Sequence, residues 1–273
     1  EMLGAQGVYR GSSILITGTP GTGKTSIVAK FCENTCLQGQ RAILFGYEES
    51  SAQILRNMRS VGIDLQPHID KDLLQIQSSR PSLHGLEQHL LTMQDLVQKF
   101  QPSVVVIDPI SNLSLDNIEN DAKPTLIRLI DFFKQQQITT MYTSLVSNDS
   151  TSEPSQFGVS SLMDTWLQLR NSEFNGERNR TIFVQKSRGM VHSNQVREFV
   201  LSDQGIRLIS PYVGADQVLT GTARVAQEAI ELAKAELRRQ DHERRLRQLA
   251  SKQKTISAQI AALQAEAEAE ADE

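Results

Sequence analysis

Short apolar runs rich in β-branched residues alternate with stretches of helical periodicity through most of the chain. The runs predict strands at 13–17, 42–47, 73–77, 103–108, 139–146, 165–170 and 181–186. The periodic stretches predict helices at 24–38, 51–62, 86–100 and 125–137, with Pro124 at a first-turn position. Segments 198–201 and 206–209 flank Ser202-Asp203-Gln204-Gly205 and read as a β-hairpin. Segment 148–158 is polar and breaker-rich, a loop at the edge of the core. Strand and helix in alternation imply an α/β fold, a mainly parallel twisted sheet flanked by helices.

The pattern changes after Thr222, where Ala, Glu, Gln, Lys and Arg dominate and neither Gly nor Pro occurs through Glu273. Such a composition favours one long helix and divides the chain into a 1–222 domain and a 223–273 helix. At heptad spacing, Val225, Leu232, Arg239, Leu246, Gln253, Ile260 and Ala267 take the a positions. Glu228, Ala235, His242, Leu249, Ile256 and Leu263 take d. From Leu246 to Leu263 five of six seam positions are apolar, as a coiled coil requires. Arg239 and His242 interrupt the seam upstream, so a solitary, charge-laced helix is the alternative.

A chain of 273 residues with 39% hydrophobic content can bury a full core. Its net charge of −4 gives no sign of a nucleic-acid or anionic-membrane partner. No apolar run approaches the roughly 20 residues that span a bilayer, and no signal-peptide pattern follows Glu1, so a soluble, cytoplasmic protein is expected. A start at Glu1 rather than Met suggests a piece of a longer chain. Cys32 and Cys36 share one helix face but are too few ligands for zinc, and read as buried, reduced thiols.

Candidate chemistry begins after the first strand. Gly18-Thr19-Pro20-Gly21-Thr22-Gly23-Lys24-Thr25 fits the phosphate-binding pattern G-x-x-x-x-G-K-[ST] between a strand and a helix. Its glycines let the backbone aim N–H groups at phosphate oxygens, where the positive end of the helix adds attraction. Lys24 would reach the β- and γ-phosphates of ATP, and the Thr25 hydroxyl would ligate Mg²⁺. Val104-Val105-Val106-Ile107-Asp108 is an apolar strand closing on a carboxylate, which puts Asp108 toward the same Mg²⁺. Glu48-Glu49-Ser50 follows a strand beside the loop. Either carboxylate is placed to take a proton from an attacking water or hydroxyl, and both also favour the dipole of the helix at Ser51.

Gly18–Thr25, Tyr47-Glu48-Glu49-Ser50 and Val104–Asp108 together resemble the RecA-like ATPases, and more closely the KaiC family of circadian-clock ATPases and autokinases. Arg41-Ala42-Ile43-Leu44-Phe45, Leu55-Arg56-Asn57 and Arg197-Glu198-Phe199 carry the same likeness, which runs from Glu1 to about Arg224. KaiC proteins hold two copies of this domain, and the chain is similar to the second. The resemblance implies that Ser160 and Ser161, in Val159-Ser160-Ser161-Leu162-Met163-Asp164-Thr165, accept phosphate, with Ser where Thr is usual. Lys186-Ser187-Arg188-Gly189 matches the element whose cations reach the γ-phosphate on the adjacent subunit, and strand periodicity turns Lys186 and Arg188 to one side. Arg180 and His192 align near that element, while Met190 and Asn194 depart from its pattern and Val61 stands where Trp is common beside the adenine.

The implied protein is a homohexamer with Mg-ATP at each subunit boundary, held by Gly18 through Thr25 with Ser26, and aided by Arg180, Lys186, Arg188 and His192. Glu48 would be the general base and Glu49 would tune it, with Lys24, Lys186 and Arg188 compensating phosphate charge. Coiled coils could join two rings into a dodecamer. KaiB-type partners act mainly on the first domain of the family, and the tail to which KaiA-type activators bind is replaced here by heptads. A nucleic-acid motor or recombinase shares the same core but needs cationic channel loops, whereas 147–162 holds no Lys or Arg and carries Asp149 and Glu153. A nucleotide-gated scaffold is the third reading.

Overall fold

A computed structural model describes residues 2–4, 7–79, 85–114, 119–146, 159–174, 177–209, 212–213, 218–219 and 221–271. Contacts divide the chain into two units, Glu1–Val218 and Leu219–Glu273.

The first unit opens with β1 (Ser13–Gly18) and α1 (Lys24–Leu37), then β2 (Ala42–Gly46), α2 (Ser51–Ser60), α3 (Gln66–Asp70) and β3 (Leu74–Ser78). It continues through α4 (Leu86–Phe100), β4 (Val104–Asp108), α5 (Glu119–Gln135) and β5 (Thr139–Leu145). A long ribbon, β6 (Thr165–Phe174) with β7 (Glu177–Ser187), and a hairpin, β8 (Arg197–Ser202) with β9 (Gly205–Ile209), complete the main sheet. Short strands β10 (Tyr212–Val213) and β11 (Val218–Leu219) lead to α6 (Gly221–Ala271).

The main sheet has the order β3-β2-β4-β5-β1-β6-β7-β8-β9. Its pairings are parallel from β3 to β6 and antiparallel from β6 to β9. Two-residue periodicity explains why the parallel strands read as unbroken apolar runs. In β1, Ile14 and Ile16 face one core layer and Leu15 the other; in β4, Val104 and Val106 oppose Val105 and Ile107. Helices α1 and α2 cover the first layer through Val28, Ala29, Ile54 and Met58, and α4 and α5 cover the second through Met93, Val97, Leu129 and Phe133. Each Val, Leu, Ile, Phe or Met among them, fully buried, contributes about 1.5–3 kcal/mol before entropy is subtracted.

Pro124 lies inside α5 rather than in its first turn, because the helix begins earlier, at Glu119. Proline removes one main-chain donor there, and burial of Leu126, Leu129, Ile130 and Phe133 further along outweighs the missing bond. The ribbon β6–β7 is longer than its apolar stretches predict, since its outer half is held by antiparallel pairing from Arg170↔Thr181 to Phe174↔Glu177. Helix α3 and strands β10 and β11 carry no sequence signal of their own. The expected 148–158 loop lies outside the described residues. Cys32 and Cys36 are free and buried; burial pushes both thiols up, Cys36 to about 11. Among the described residues no three His, Cys, Asp or Glu side chains gather to hold a metal ion.

In the second unit α6 is a single helix of 51 residues, roughly 75 Å long at 1.5 Å per residue. Ion pairs spaced i, i+4 line it, among them Arg224–Glu228 at 2.8 Å and Arg239–Glu243 at 3.4 Å. Leu232, Leu246, Leu249, Ile256 and Ile260 are exposed along it, Leu232 by 71%. No described helix is long and apolar enough to cross a membrane.

Candidate active site

Strand β1 delivers the chain into the phosphate loop at its carboxyl end. Gly21 and Gly23 take φ of 77° and 95°, the left-handed region that L side chains avoid. Gly18 is needed for a different reason, since a Cβ there would lie 2.7 Å from Thr22 Oγ1 and 2.9 Å from the Leu169 carbonyl. The Thr22 hydroxyl donates to the Thr19 carbonyl at 2.8 Å and closes the turn. Gly23 caps α1 without a side-chain hydrogen bond, so no side chain competes with a ligand for the first-turn amides.

Lys24 is buried, and its ammonium donates to the carbonyls of Gly18 at 2.8 Å and Thr19 at 2.9 Å. Burial lowers its pKa, while the charges of Asp108 and Glu48 act the other way. Asp108, at the end of β4, accepts hydrogen bonds from Thr143 on β5 and from Thr25 on α1. Burial raises its pKa against those two hydroxyls and Lys24. A desolvated carboxylate hydrogen-bonded to the hydroxyl of Thr25 is a donor set that suits a hard, oxygen-seeking cation, and these two residues fit Mg²⁺.

The two glutamates follow β2 in a bend whose first amide, Tyr47 N, donates to the Asp108 carbonyl at 2.9 Å. Ser50 then caps α2 reciprocally with Gln53: its amide donates to Gln53 Oε1 at 2.9 Å, and its hydroxyl accepts from the Gln53 amide at 3.4 Å. That cap fixes where the helix begins and so holds the glutamates just ahead of it. Glu48 accepts from Asn112 Nδ2 at 3.4 Å, and Glu49 from Asn57 Nδ2 at 2.9 Å. A cleft of about 350 Å³ brings Lys24, Thr25, Ser26, Glu48, Glu49 and Asp108 together with Pro20, Gly21 and Gly23 of the loop. Met58 and Leu201 also line it, and sequence reasoning missed them because they come from α2 and the far hairpin.

Ser160 and Ser161 lie elsewhere. They occupy a 3₁₀ turn, Val159–Ser161, with Ser160 half-buried and Ser161 exposed. Lys186 Nζ donates to the Ser160 carbonyl at 3.0 Å and the Ser161 carbonyl at 3.4 Å, and Arg188 donates to the latter at 2.7 Å. Burial and then the neighbouring Arg188 lower the pKa of Lys186. This turn is tied to the amino end of β1 through Asp164, which accepts from the Ser13 amide and hydroxyl, each at 2.9 Å, and pairs with Lys134 at 3.0 Å. Burial alone would raise Asp164; the Ser13 amide, Lys134 and the Ser13 hydroxyl reverse it and hold the carboxyl below its ordinary value.

The fold therefore separates residues that the sequence grouped. Arg180 sits with the phosphate loop of its own chain, its Nε donating to the Gly21 carbonyl at 3.3 Å, rather than with Lys186 and Arg188 at the other end of β7. His192 lies half-buried beyond β7 and does not line the cleft. Thr143 and Asn112 had no signal in the sequence, and Asn57 had one only as part of Leu55-Arg56-Asn57.

The family model for the KaiC ATPase matches residues 1–212. The chain is 48% identical over 266 residues to the circadian clock protein KaiC2 of Synechocystis, covering 97% of this chain and 47% of that protein. It is 37% identical over 246 residues to the circadian clock oscillator protein KaiC of Thermostichus vulcanus, covering 89% and 47%. With the protein of that name from Synechococcus elongatus the identity is 35% over 223 residues, covering 81% and 43%. The chain thus spans about half the length of these curated relatives, 47% at most.

Proposed function

The chain belongs to the KaiC family, with its RecA-like ATPase fold, and from that premise we propose that it is a circadian-clock-type autokinase and ATPase acting as a homohexamer. Mg-ATP would sit at each subunit boundary, and the γ-phosphoryl would pass to Ser160 and Ser161 of the neighbouring copy, with slow hydrolysis alongside.

The observation that carries this reading is the separation of donor and acceptor along β1. The phosphate loop follows its carboxyl end, and Asp164, three residues after Ser161, is bound to Ser13 at its amino end. Five residue steps of about 3.3 Å put those ends roughly 17 Å apart, whereas transfer needs reacting atoms at about 3–3.5 Å. One chain cannot close that distance without tearing its central strand from the sheet. Two copies set carboxyl end to amino end can.

In the proposed reaction the serine oxygen attacks the γ-phosphorus as its O–H bond breaks, and the bond from that phosphorus to the β,γ-bridging oxygen breaks to release ADP. Glu48 takes the serine proton, and Glu49 tunes its field. The loop amides and Lys24 hold the β- and γ-phosphates of their own copy; Lys186 and Arg188 of the neighbouring copy meet the charge on the transferring group. Mg²⁺, held by Thr25 and Asp108, would supply screening of the phosphate charge.

We propose further that α6 joins two rings as a coiled coil, since Leu246, Leu249, Ile256 and Ile260 are exposed on the helix and each gains about 1.5–3 kcal/mol on burial. Truncation after Arg224 should leave a hexamer, while the longer chain in Mg-ATP sediments at twice that mass. Equal ring numbers for both would refute ring pairing. A cytoplasmic location and, in a full-length protein, a KaiB-type partner belong to the same proposal.

Intact mass before and after incubation with Mg-ATP, followed by phosphopeptide mapping, tests the central claim. Phosphate on Ser160 and Ser161 is expected. Hydrolysis without any mass gain would leave an ATPase or nucleotide-gated scaffold in place of the autokinase.

A further inference from the structure

Two adjacent carboxylates face one cleft, and the fold holds them unequally. Glu48 is exposed and meets Asn112 at 3.4 Å, while Glu49 is half-buried and takes a 2.9 Å bond from Asn57. Asn57 lies within α2, three residues after buried Ile54 and beside buried Met58. Asparagine is a poor choice for a helix interior, because its amide competes for main-chain groups. Here the amide bonds neighbouring side chains instead and is used at both ends. Its Nδ2 donates across the α2 cap to Glu49 Oε2, and its Oδ1 accepts from Arg56 Nε at 3.3 Å and from the Arg56 terminal nitrogen at 3.2 Å. Oxygen toward the cation and nitrogen toward the anion is the one amide orientation that satisfies both.

We infer that Asn57 is a positioning residue for phosphoryl transfer: it locks Glu49 in place and so leaves Glu48 as the carboxylate that moves onto the attacking oxygen. The inference rests on the reading of Glu48 as general base. Without the lock, Glu49 is released to compete with Glu48 for the same water or hydroxyl, and the line of attack is no longer set. Nucleotide binding, which belongs to the loop amides and Lys24, does not pass through Asn57.

The test is steady-state ATP hydrolysis by the full chain with Mg-ATP. Asn57→Ala should lower kcat about tenfold, with KM for ATP changed less than about twofold, because orientation and not affinity is lost. Asn57→Asp is nearly isosteric but, when ionised, cannot donate and sets a third carboxylate against Glu49, so kcat should fall further than with Ala. Asn57→Gln retains the N–H donor and should recover part of the rate. In a Glu49→Ala background, Asn57→Ala should cost nothing more. Melting curves on each variant separate slow catalysis from unfolding. A packing role predicts the opposite order, with Asp milder than Ala, and that order would overturn the inference. So would full additivity in the double mutant, or wild-type kcat in both Asn57→Ala and Asn57→Asp; the reading of Glu48 would survive any of these. Failure of the unaltered chain to turn over bound ATP would instead overturn that reading and the inference together.

Discussion

At its carboxyl end β1 runs into a cradle of backbone amides with one buried cation, Lys24, and three carboxylates, Glu48, Glu49 and Asp108. At its amino end it meets a turn bearing two hydroxyls, Ser160 and Ser161, whose carbonyls are held by Lys186 and Arg188. The first end offers amides and Lys24 to phosphates and carboxylates to a proton, with Arg180 at the loop, but does not hold the serine turn. The second has two cations and two hydroxyls and lacks the cradle. Each lacks what the other holds, and a six-residue strand keeps them apart. In the proposed reaction the catalytic unit is accordingly the boundary between two chains.

The comparison breaks most sharply at the cradle. Lys24→Ala should abolish ATP binding and with it both hydrolysis and phosphate incorporation, a loss of at least about a hundredfold in turnover. Unchanged nucleotide affinity by titration would remove the carboxyl end from the chemistry.

Ser160→Ala combined with Ser161→Ala should eliminate the ATP-dependent mass gain while leaving hydrolysis measurable, since it touches only the amino end. Phosphate found on other residues of the double variant would overturn the acceptor assignment.

Mixing sharpens the comparison. Glu48→Gln damages only the carboxyl end, and Arg188→Ala only the amino end, each by about a hundredfold when every subunit carries it. Co-assembled, the two variants form some boundaries with an intact cradle from one chain and intact cations from the other, so part of the activity should return. Mixtures no more active than their components would confine the site to one chain.

The smallest effect concerns the tether. Asp164→Asn should destabilise the fold by roughly 1–3 kcal/mol, through weakened bonds to Ser13 and Lys134, with cradle chemistry retained. Because folding lowers the pKa of Asp164, its contribution is full above the ordinary carboxylate value of 3.8 and is lost as pH falls below it. Thermal melts against pH should therefore show wild type and variant converging in acid.

Much of this was legible in the chain order. The strands β1, β2 and β4 announced themselves as apolar runs, and the phosphate loop, Glu48-Glu49 and Asp108 each stand where such a run stops. These signals are local: a few consecutive residues set the φ/ψ preference, the two-residue alternation and the turn. The long C-terminal helix was legible for the same reason, as a run from Ala223 to Glu273 without a breaker. The partners of those residues were not. Thr143 reaches Asp108 because β5 pairs with β4, and Leu201 reaches the cleft because the β8–β9 hairpin extends the sheet past β7. Arg180 and Lys186 lie six residues apart in sequence and looked like members of one cluster, but β7 is extended, so its two ends belong to opposite edges of the sheet. What the sequence by itself determined was most of the elements of the main sheet, the long C-terminal helix and the loops that end the central strands. Which loops share an edge, and which carboxylate is locked by which amide, was decided by strand order and helix docking, because those are selected by burial summed over the whole sheet and leave no mark on any single stretch of chain.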